Sequence, residues 1–200
     1  MLTLGPPEAA GQLRDMLALG AHHGVLLQTD GAEWGPVATA TAIAETVAGR
    51  GYELLLFGNE SADTGGYQVP VRVAHMLGLP CVTGIKRLEI VSGGDGTGLR
   101  IAASREYRGS EEAFDVPLPA VVTVKEGINL PRYPSLPGRL RAKRASIETI
   151  EPPPRPESDG LRKVRLRVPE STSKGAQVLG SGAEAVPALV GLLDELGVLP

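Results

Sequence analysis

The sequence contains a single cysteine and no long apolar run, and each shortage excludes a class of protein. Cys81 is the only cysteine among the 200 residues, so an internal disulfide framework, a cysteine-ligated iron–sulfur cluster and a structural zinc site are excluded. The longest apolar runs, such as residues 54–57, are far shorter than the ~20 residues that a membrane-spanning helix needs.

The sequence is also short of aromatic residues, net charge and targeting signals. Aromatic residues make up 4% of the chain, and the basic stretches lack interleaved rings on which nucleic-acid bases could stack. A formal charge of -3 gives no global attraction to nucleic acid or to an anionic membrane. The first residues lack a basic region followed by an apolar stretch. We therefore expect a cytoplasmic protein with no nucleic-acid partner and no membrane insertion.

The hydrophobic pattern of the first half alternates between helices and strands. The run at 54–57 is continuously apolar, as is typical of a parallel strand covered by helices on both faces. The spacing of apolar residues predicts helices over 10–19, 36–47 and 67–77 and strands over 25–27, 54–57 and 81–83. This order predicts an α/β fold with three layers around a mostly parallel, Rossmann-like sheet.

The pattern changes after Gly84. Alternating apolar residues around 88–90 and 99–103 predict an antiparallel hairpin excursion that Phe114 and Val116 continue, and residues 119–124 return to the parallel sheet. A proline-rich loop at 127–138 leads to a short basic helix opened by Pro137. After a proline-rich linker at 151–160 we predict a strand at 163–168 and a final amphipathic helix. The predicted domains are an α/β domain over 1–150 and a linker with a C-terminal arm over 151–200.

One candidate site is the stretch LLLFGNESADTGGYQV at 54–69, in which an apolar strand leads through a glycine-rich loop into a helix. The first-turn N–H groups of such a helix are free to hold a phosphate. Gly65 and Gly66 would let the backbone approach closely, and Asp63 could accept from a ribose hydroxyl or fix the loop. The stretch matches neither the dinucleotide fingerprint nor the P-loop, so on pattern alone an ordinary turn is the stronger interpretation.

A second candidate site is INLPRYPSLPGRLRAKRASIE at 128–148, whose prolines stiffen a loop that displays Leu136. The basic residues that follow are Arg139, Arg141, Lys143 and Arg144. An apolar side chain on a rigid loop beside positive charge suits docking onto an acidic protein surface. A solvated basic helix with Leu136 folded back onto the core is the alternative, and the residues alone favour it. No histidine has a metal-ligand partner, and no catalytic centre is visible.

Residues 118–148, LPAVVTVKEGINLPRYPSLPGRLRAKRASIE, closely resemble the signature region of electron transfer flavoprotein β subunits. The loop GNESAD…QV and the later STSKGAQVL extend the resemblance over essentially the whole chain. The resemblance implies an adenine nucleotide alpha hydrolase-like fold and an electron carrier, not an enzyme. It implies a heterodimer in which the α subunit holds FAD and the β subunit binds AMP. The C-terminal arm of the β subunit would contact the α subunit. Acyl-CoA-type dehydrogenases of fatty acid oxidation would supply electrons that pass to a membrane quinone oxidoreductase.

The resemblance also assigns residues to each site. The nucleotide would be surrounded by Gly58, Asp63, Thr64, Gly65, Gly66, Tyr67, Gln68 and Val69. Leu136 would seat in a pocket of the dehydrogenase, with Pro137, Arg139 and Arg141 beside it. Because the loop departs from the common AMP pattern at residues 66–70, a second FAD in place of AMP stays open.

The family begins with a further strand, helix and strand that this sequence does not show, so we expect a sheet with an open edge. A stand-alone adenine-nucleotide-binding regulatory protein of the same fold is the alternative function. The excess of arginine over lysine suggests a bacterial gene.

Overall fold

The computed structural model describes residues 1–62, 64–93, 98–155, 164–165, 167–168 and 175–198. These residues fall into two compact units, Met1–Arg162 and Lys163–Pro200. The first unit contains nine strands and four α-helices among its described residues, and the second contains one α-helix.

The strands of the first unit are β1 (Leu2–Gly5), β2 (Gly24–Gln28), β3 (Leu54–Gly58), β4 (Cys81–Ile85), β5 (Arg87–Ser92), β6 (Leu99–Tyr107), β7 (Ser110–Pro117), β8 (Ala120–Val124) and β9 (Ile147–Ile150). Its helices are α1 (Ala10–Leu19), α2 (Pro36–Val47), α3 (Val69–Leu77) and α4 (Leu136–Arg144). The helix of the second unit is α5 (Val186–Glu195), and none of its side chains is buried.

The strands form three sheets of three strands each. Two are parallel, with strand orders β1-β2-β9 and β3-β8-β4, and the third is antiparallel, with the order β5-β6-β7. The predicted α/β fold with mostly parallel strands and an antiparallel excursion is therefore confirmed. The parallel strands form two sheets instead of one. The edge strands β1 and β3 belong to different sheets and do not pair with each other.

The core follows from the strand sequences. The central strands β2 and β8 are buried along most of their length, whereas β1 and β3 are largely half-buried or exposed. Continuous apolar runs such as Leu26–Leu27 and Val121–Val122 therefore supply the fully enclosed layer. The antiparallel sheet packs onto β4 and β8 through Ile85, Ile101 and Val116.

Several boundaries differ from the sequence-based predictions. Helix α3 begins at Val69 instead of Tyr67, because Tyr67 has a φ of 54°, in the left-handed region, which cannot continue into a right-handed helix. The strand predicted over 163–168 is wrong for the described residues of that stretch, which lie outside any strand. Strands β1 and β9 were not predicted, because each has only four residues, too few to show a clear alternation of apolar and polar side chains.

The helix ends are set by glycine and proline. Gly20 ends α1 with a φ of 119°, and its N–H and that of Ala21 bond to carbonyls in the last turn of the helix. Pro36, Pro70 and Pro137 each lie in the first two positions of a helix, where an N–H group would have no partner inside the helix. Among the described residues, no helix is long and apolar enough to cross a membrane.

Candidate functional site

A cleft of about 650 Å³ lies where β3 and β8 end. The two strands pair in parallel, with Gly58 opposite Val124, so their carboxyl ends open at the same edge of the sheet. The cleft is lined by Gly58, Asn59, Glu60, Ser61, Ala62, Thr64, Gly65, Tyr67, Val124, Lys125 and Glu126. Crevices at the carboxyl ends of parallel strands are where open α/β sheets bind ligands.

The buried hydroxyl of Thr123 connects the strand ends at this cleft. Thr123 is 2% exposed, and its Oγ1 donates to Oδ1 of Asn59 at 2.6 Å while accepting from the N–H of Gly84 at 2.8 Å. These bonds join the ends of β3, β8 and β4. The buried polar atom is therefore satisfied, and it sets the position of Asn59 on the cleft wall.

The loop after β3 is shaped by local hydrogen bonds and left-handed backbone. The N–H of Gly65 donates to the carbonyl of Ser61 at 2.9 Å, and the hydroxyls of Ser61 and Thr64 are 2.7 Å apart. Gly65 and Tyr67 both have a φ of 54°. A Cβ on Gly65 would lie 3.2 Å from Oε1 of Glu60, whereas a Cβ on Gly66 would meet nothing nearer than 4.0 Å. The turn therefore requires glycine at 65 and tolerates a side chain at 66.

The cleft carries charges of both signs. Lys125 supplies a cation, while Glu60 and Glu126 supply carboxylates. A hydrogen bond to Glu60 raises the pKa of Tyr67. The backbone N–H of Glu126 and the neighbouring Lys86 hold the pKa of the Glu126 carboxyl below its usual range. The cation and the hydroxyls suit a phosphate, and the carboxylates suit the hydroxyls of a sugar.

The structure brings together part of the predicted nucleotide site. Gly58, Thr64, Gly65 and Tyr67 line the cleft. Gln68, Val69 and Gly66 do not line it. Gln68 accepts hydrogen bonds from Arg72, and Val69 packs against the core. Asp63 lies outside the described residues.

Sequence reasoning missed Asn59, Lys125 and Glu126. All three lie within two residues of the end of an apolar run that was predicted as a parallel strand. Because parallel strands share a carboxyl edge, polar residues immediately after two such runs could have been grouped into one site. What the pattern could not show is that the two runs are neighbours in the sheet.

The proline-rich loop forms a second, apolar surface. Leu130, Tyr133 and Leu136 are 91%, 90% and 72% exposed, so the alternative in which Leu136 folds back onto the core is wrong. Leu136 is the first residue of α4, and Ser135 caps that helix by accepting from the N–H of Gly138. We call Leu130, Tyr133 and Leu136 the apolar loop surface.

Helix α4 is held rigidly beneath this surface. It packs on α1 so closely that a Cβ on Gly138 would lie 2.4 Å from the carbonyl oxygen of Ala18. Of the predicted docking residues, Pro137 and Arg139 are exposed beside Leu136. Arg141 instead donates to the carbonyl of Leu17 at 3.3 Å, near the end of α1, so part of its role is to hold the two helices together.

The fold and the two candidate sites define an α/β protein with a polar cleft at the strand ends and an apolar loop surface. Comparisons with known proteins show the family to which it belongs. Residues 1–155 match the electron transfer flavoprotein domain. The chain is 33% identical over 199 residues to the electron transfer flavoprotein subunit beta of Bacillus subtilis (strain 168), covering 96% of this chain and 75% of that protein. The subunit beta of Syntrophomonas wolfei is 37% identical over 149 residues, which are 74% of this chain and 56% of the relative.

A third relative, the electron transfer flavoprotein subunit beta of Mycobacterium bovis, is 34% identical over 185 residues, covering 90% of this chain and 67% of that protein. The chain therefore belongs to the electron transfer flavoprotein family. The three relatives are all named beta subunits, so the resemblance drawn from residues 118–148 is confirmed. The chain spans between 56% and 75% of the length of these relatives.

Proposed function

We propose that this chain is the electron transfer flavoprotein subunit that binds AMP and docks electron-donating dehydrogenases. In this proposal an alpha subunit holds the FAD, acyl-CoA-type dehydrogenases of fatty acid oxidation deliver electrons, and a quinone oxidoreductase receives them. The observation that carries the proposal is the coexistence, in a member of this family, of a polar cleft at the strand ends and an exposed apolar loop surface.

Each group of cleft residues would bind a different part of the nucleotide. Lys125, the N–H groups of the loop after β3 and the hydroxyls of Ser61 and Thr64 suit its phosphate, and Glu60 suits its ribose. Asn59, fixed by Thr123, offers its amide group to the base or the sugar. In this proposal the nucleotide has a structural role, and the flavin of the complex supplies the redox chemistry.

The nucleotide site is tested by a pair of glycine variants in a complex co-expressed with an alpha subunit. Gly65→Ala would force a side chain into a left-handed residue and against Glu60, so the released AMP should fall at least several-fold. Gly66→Ala is the matched control and should retain AMP, since its Cβ would meet only Oγ1 of Thr64, at 4.0 Å. The measurement is chromatography of the nucleotides released on denaturation.

The same chromatograms separate the possible nucleotides. A second FAD in place of AMP would appear as two flavins per complex and would replace AMP in the site. Equal AMP content in both glycine variants would put the nucleotide elsewhere. A colourless chain that binds AMP without an alpha subunit would support the stand-alone regulatory protein instead, and the apolar loop surface would then have no explained role.

The docking role is tested at Leu136. Truncating this exposed side chain should leave flavin and AMP unchanged while slowing reduction of the complex by an acyl-CoA dehydrogenase roughly tenfold or more, because central apolar anchors dominate interface energies. The measurement is stopped-flow absorbance of the flavin under single-turnover conditions with Leu136→Ala.

Ile90→Ala provides the matched control, since Ile90 is an apolar side chain on the antiparallel sheet that is 52% exposed. Its complex should be reduced at the parent rate. If Leu136→Ala matched the parent or both variants were slowed alike, the docking role of the loop would be wrong.

A further inference from the structure

The loop between β8 and α4, residues 125–135, connects the candidate nucleotide cleft with the apolar loop surface. Its first two residues, Lys125 and Glu126, line the cleft. The apolar loop surface begins four residues later, at Leu130, and continues into the first turn of α4. The position of that surface on the molecule therefore depends on how this loop is held. We call it the β8–α4 loop.

The middle of the β8–α4 loop is not fixed by hydrogen bonds. Residues 129–134 all belong to the described part of the chain, and none of them forms a hydrogen bond or an ion pair there. Pro131 and Pro134 lack an N–H group and restrict the backbone locally. The stretch is therefore stiff, but its direction is set by its two ends.

The far end of the loop is anchored by α4. The hydroxyl of Ser135 accepts from the N–H of Gly138, and its carbonyl accepts from the N–H of Arg139 at 3.0 Å. The close approach of Gly138 to Ala18 fixes α4 on α1. This end of the loop is therefore held by the packing of two helices.

The near end of the loop is anchored where β4 passes into β5. The N–H of Lys125 donates to the carbonyl of Ile85, the last residue of β4, at 3.0 Å. The next residue, Lys86, extends its side chain to the loop, and its Nζ donates to the carbonyl oxygen of Glu126 at 2.9 Å. In the part of the chain that the structure describes, Lys86 supplies the only side chain outside the loop that is hydrogen-bonded to residues 125–134.

The backbone of Lys86 is itself fixed by the antiparallel sheet. Its N–H donates to the carbonyl of Ser104 on β6 at 2.9 Å. Its Nζ also lies 3.7 Å from Oε1 of Glu126, but the Glu126 side chain is 91% exposed, so this ion pair contributes little. The bond from Lys86 to the backbone carbonyl is therefore the one that orients the chain.

The bonded carbonyl of Glu126 immediately precedes a change of direction. Gly127 has a φ of 82°, in the left-handed region that favours glycine. A Cβ on Gly127 would lie 3.9 Å from Nζ of Lys86, so the ammonium group lies against this turn. Because no hydrogen bond holds residues 129–134, a rotation of the peptide between Glu126 and Gly127 would be carried along the loop to Leu130.

From these contacts we propose that Lys86 is a positioning residue for dehydrogenase docking. Its ammonium group fixes the direction in which the β8–α4 loop leaves the sheet, and so holds Leu130 and Tyr133 beside Leu136 as one surface. Lys86 does not line the nucleotide cleft, so it acts through the loop and not on the nucleotide. The proposal rests on the docking function proposed above.

Limited digestion with trypsin tests the effect of Lys86 on the loop, in the complex co-expressed with an alpha subunit. Arg132 is the trypsin site within the stretch 129–134. Lys86→Met retains the aliphatic stem and removes the donor, so cleavage after Arg132 should be roughly three- to tenfold faster, because more of the loop population is open. The measurement is mass spectrometry of the fragment that ends at Arg132.

Two variants provide the controls for this digestion. Lys86→Arg keeps a charged donor and should be cleaved at the parent rate. Arg87→Gln removes the same charge from the next residue, whose side chain pairs with Glu111 and not with the loop, and should also behave as the parent. If Lys86→Met does not assemble, Lys86→Ala, which also lacks the donor, takes its place in each assay.

Reduction by an acyl-CoA dehydrogenase tests the consequence for docking. The rate of flavin reduction is measured by stopped-flow absorbance over a range of dehydrogenase concentrations. For Lys86→Met the half-saturating concentration should rise roughly three- to tenfold at an unchanged maximal rate, because only the fraction of molecules with a correctly placed loop can dock. Lys86→Arg and Arg87→Gln should match the parent, and Leu136→Ala reports in the same assay whether the loop docks.

Four results would overturn the proposal. Parent-like cleavage after Arg132 in Lys86→Met would show that Lys86 does not hold the loop. A parent-like half-saturating concentration in Lys86→Met, beside a raised one in Leu136→Ala, would leave the docking function intact without Lys86. Equal effects of Lys86→Met and Arg87→Gln would trace the change to net charge. Parent-like kinetics of Leu136→Ala would remove the docking function, and the positioning role with it.

Discussion

Thr123 shows how one residue organises the candidate nucleotide cleft. Its hydroxyl accepts from the N–H of Gly84 and donates to Asn59, which lies 64 positions earlier in the chain. The stretch around Thr123 is readily predicted as an apolar strand. Nothing in the spacing of the sequence shows that its one hydroxyl meets Asn59, because that contact depends on which strands are neighbours.

Replacing Thr123 by valine should destabilise the protein by about 1–3 kcal/mol, although the two side chains have nearly the same shape. The N–H of Gly84 would lose its acceptor in a buried environment, and Asn59 would lose its anchor. The measurement is urea unfolding, together with AMP content of the complex. We expect both to decrease.

The control for this change is Thr149→Val, at an exposed threonine of β9. That substitution should alter the unfolding free energy by less than about 0.5 kcal/mol. If Thr123→Val were equally harmless, the hydroxyl would have no part in shaping the cleft.

At the scale of elements, one carboxylate connects three segments of the first unit. Glu148 on β9 bonds to Nε2 of His23, just before β2, at 2.8 Å and to both terminal nitrogens of Arg50, which follows α2. These bonds, chiefly those from Arg50, lower the pKa of Glu148 to about 2 from its ordinary value of 4.5. The link holds the amino-terminal ends of β2 and β9 against the turn that leads to β3.

This link predicts a pH dependence of stability. Because the pKa of Glu148 is lower in the folded state, its contribution is fully present above pH 4.5 and is lost as the pH falls from 4.5 towards 2. Glu148→Gln should therefore lower the urea midpoint at pH 7, and the difference from the parent should shrink over that window.

Glu89→Gln, at an exposed carboxylate of β5, is the control and should show a small difference that does not vary in this way. A constant gap between Glu148→Gln and the parent from pH 7 to pH 2 would mean that the ionised carboxylate is not what links the three segments.

Helices and strands were predicted correctly where apolar residues recur with a clear period. They were missed where the segment is short. Helices α1 and α2 and the apolar strands β3 and β8 stand out in the sequence, and the antiparallel hairpin is marked by alternation. Strand β1, LTLG, has too few residues for any period to register. Its position becomes evident only through pairing with β2, a long-range contact.

At the scale of the molecule, the sequence suggests one parallel sheet with an open edge, whereas the parallel strands of the structure form two separate sheets. The apolar runs predict correctly that parallel strands exist. They carry no information about the order of the strands, because each run would look the same beside any neighbour. The division of the parallel strands into two sheets is therefore a property of the tertiary arrangement.

Charge is also distributed unevenly over the whole molecule. The formal net charge is -3, yet the loop and helix α4 that carry the apolar loop surface also carry four exposed cations, namely Arg132, Arg139, Lys143 and Arg144. These four cations form a positive pole on a molecule of negative net charge. Such a pole orients an approaching acidic protein surface and raises the rate at which the two proteins meet. If the loop docks dehydrogenases, this pole should make the reaction sensitive to salt.

The rate at which an acyl-CoA dehydrogenase reduces the complex should therefore fall roughly three- to tenfold between 0.01 and 0.1 M salt, as the screening length shortens from about 30 to about 10 Å. The double variant Arg139→Gln/Lys143→Gln should be slower at low salt and have a flatter dependence. Arg87→Gln/Arg108→Gln removes the same charge from the antiparallel sheet and should retain the parent slope, as stopped-flow reduction would show. Identical slopes for the two double variants would mean that net charge, not the pole beside Leu136, governs encounter.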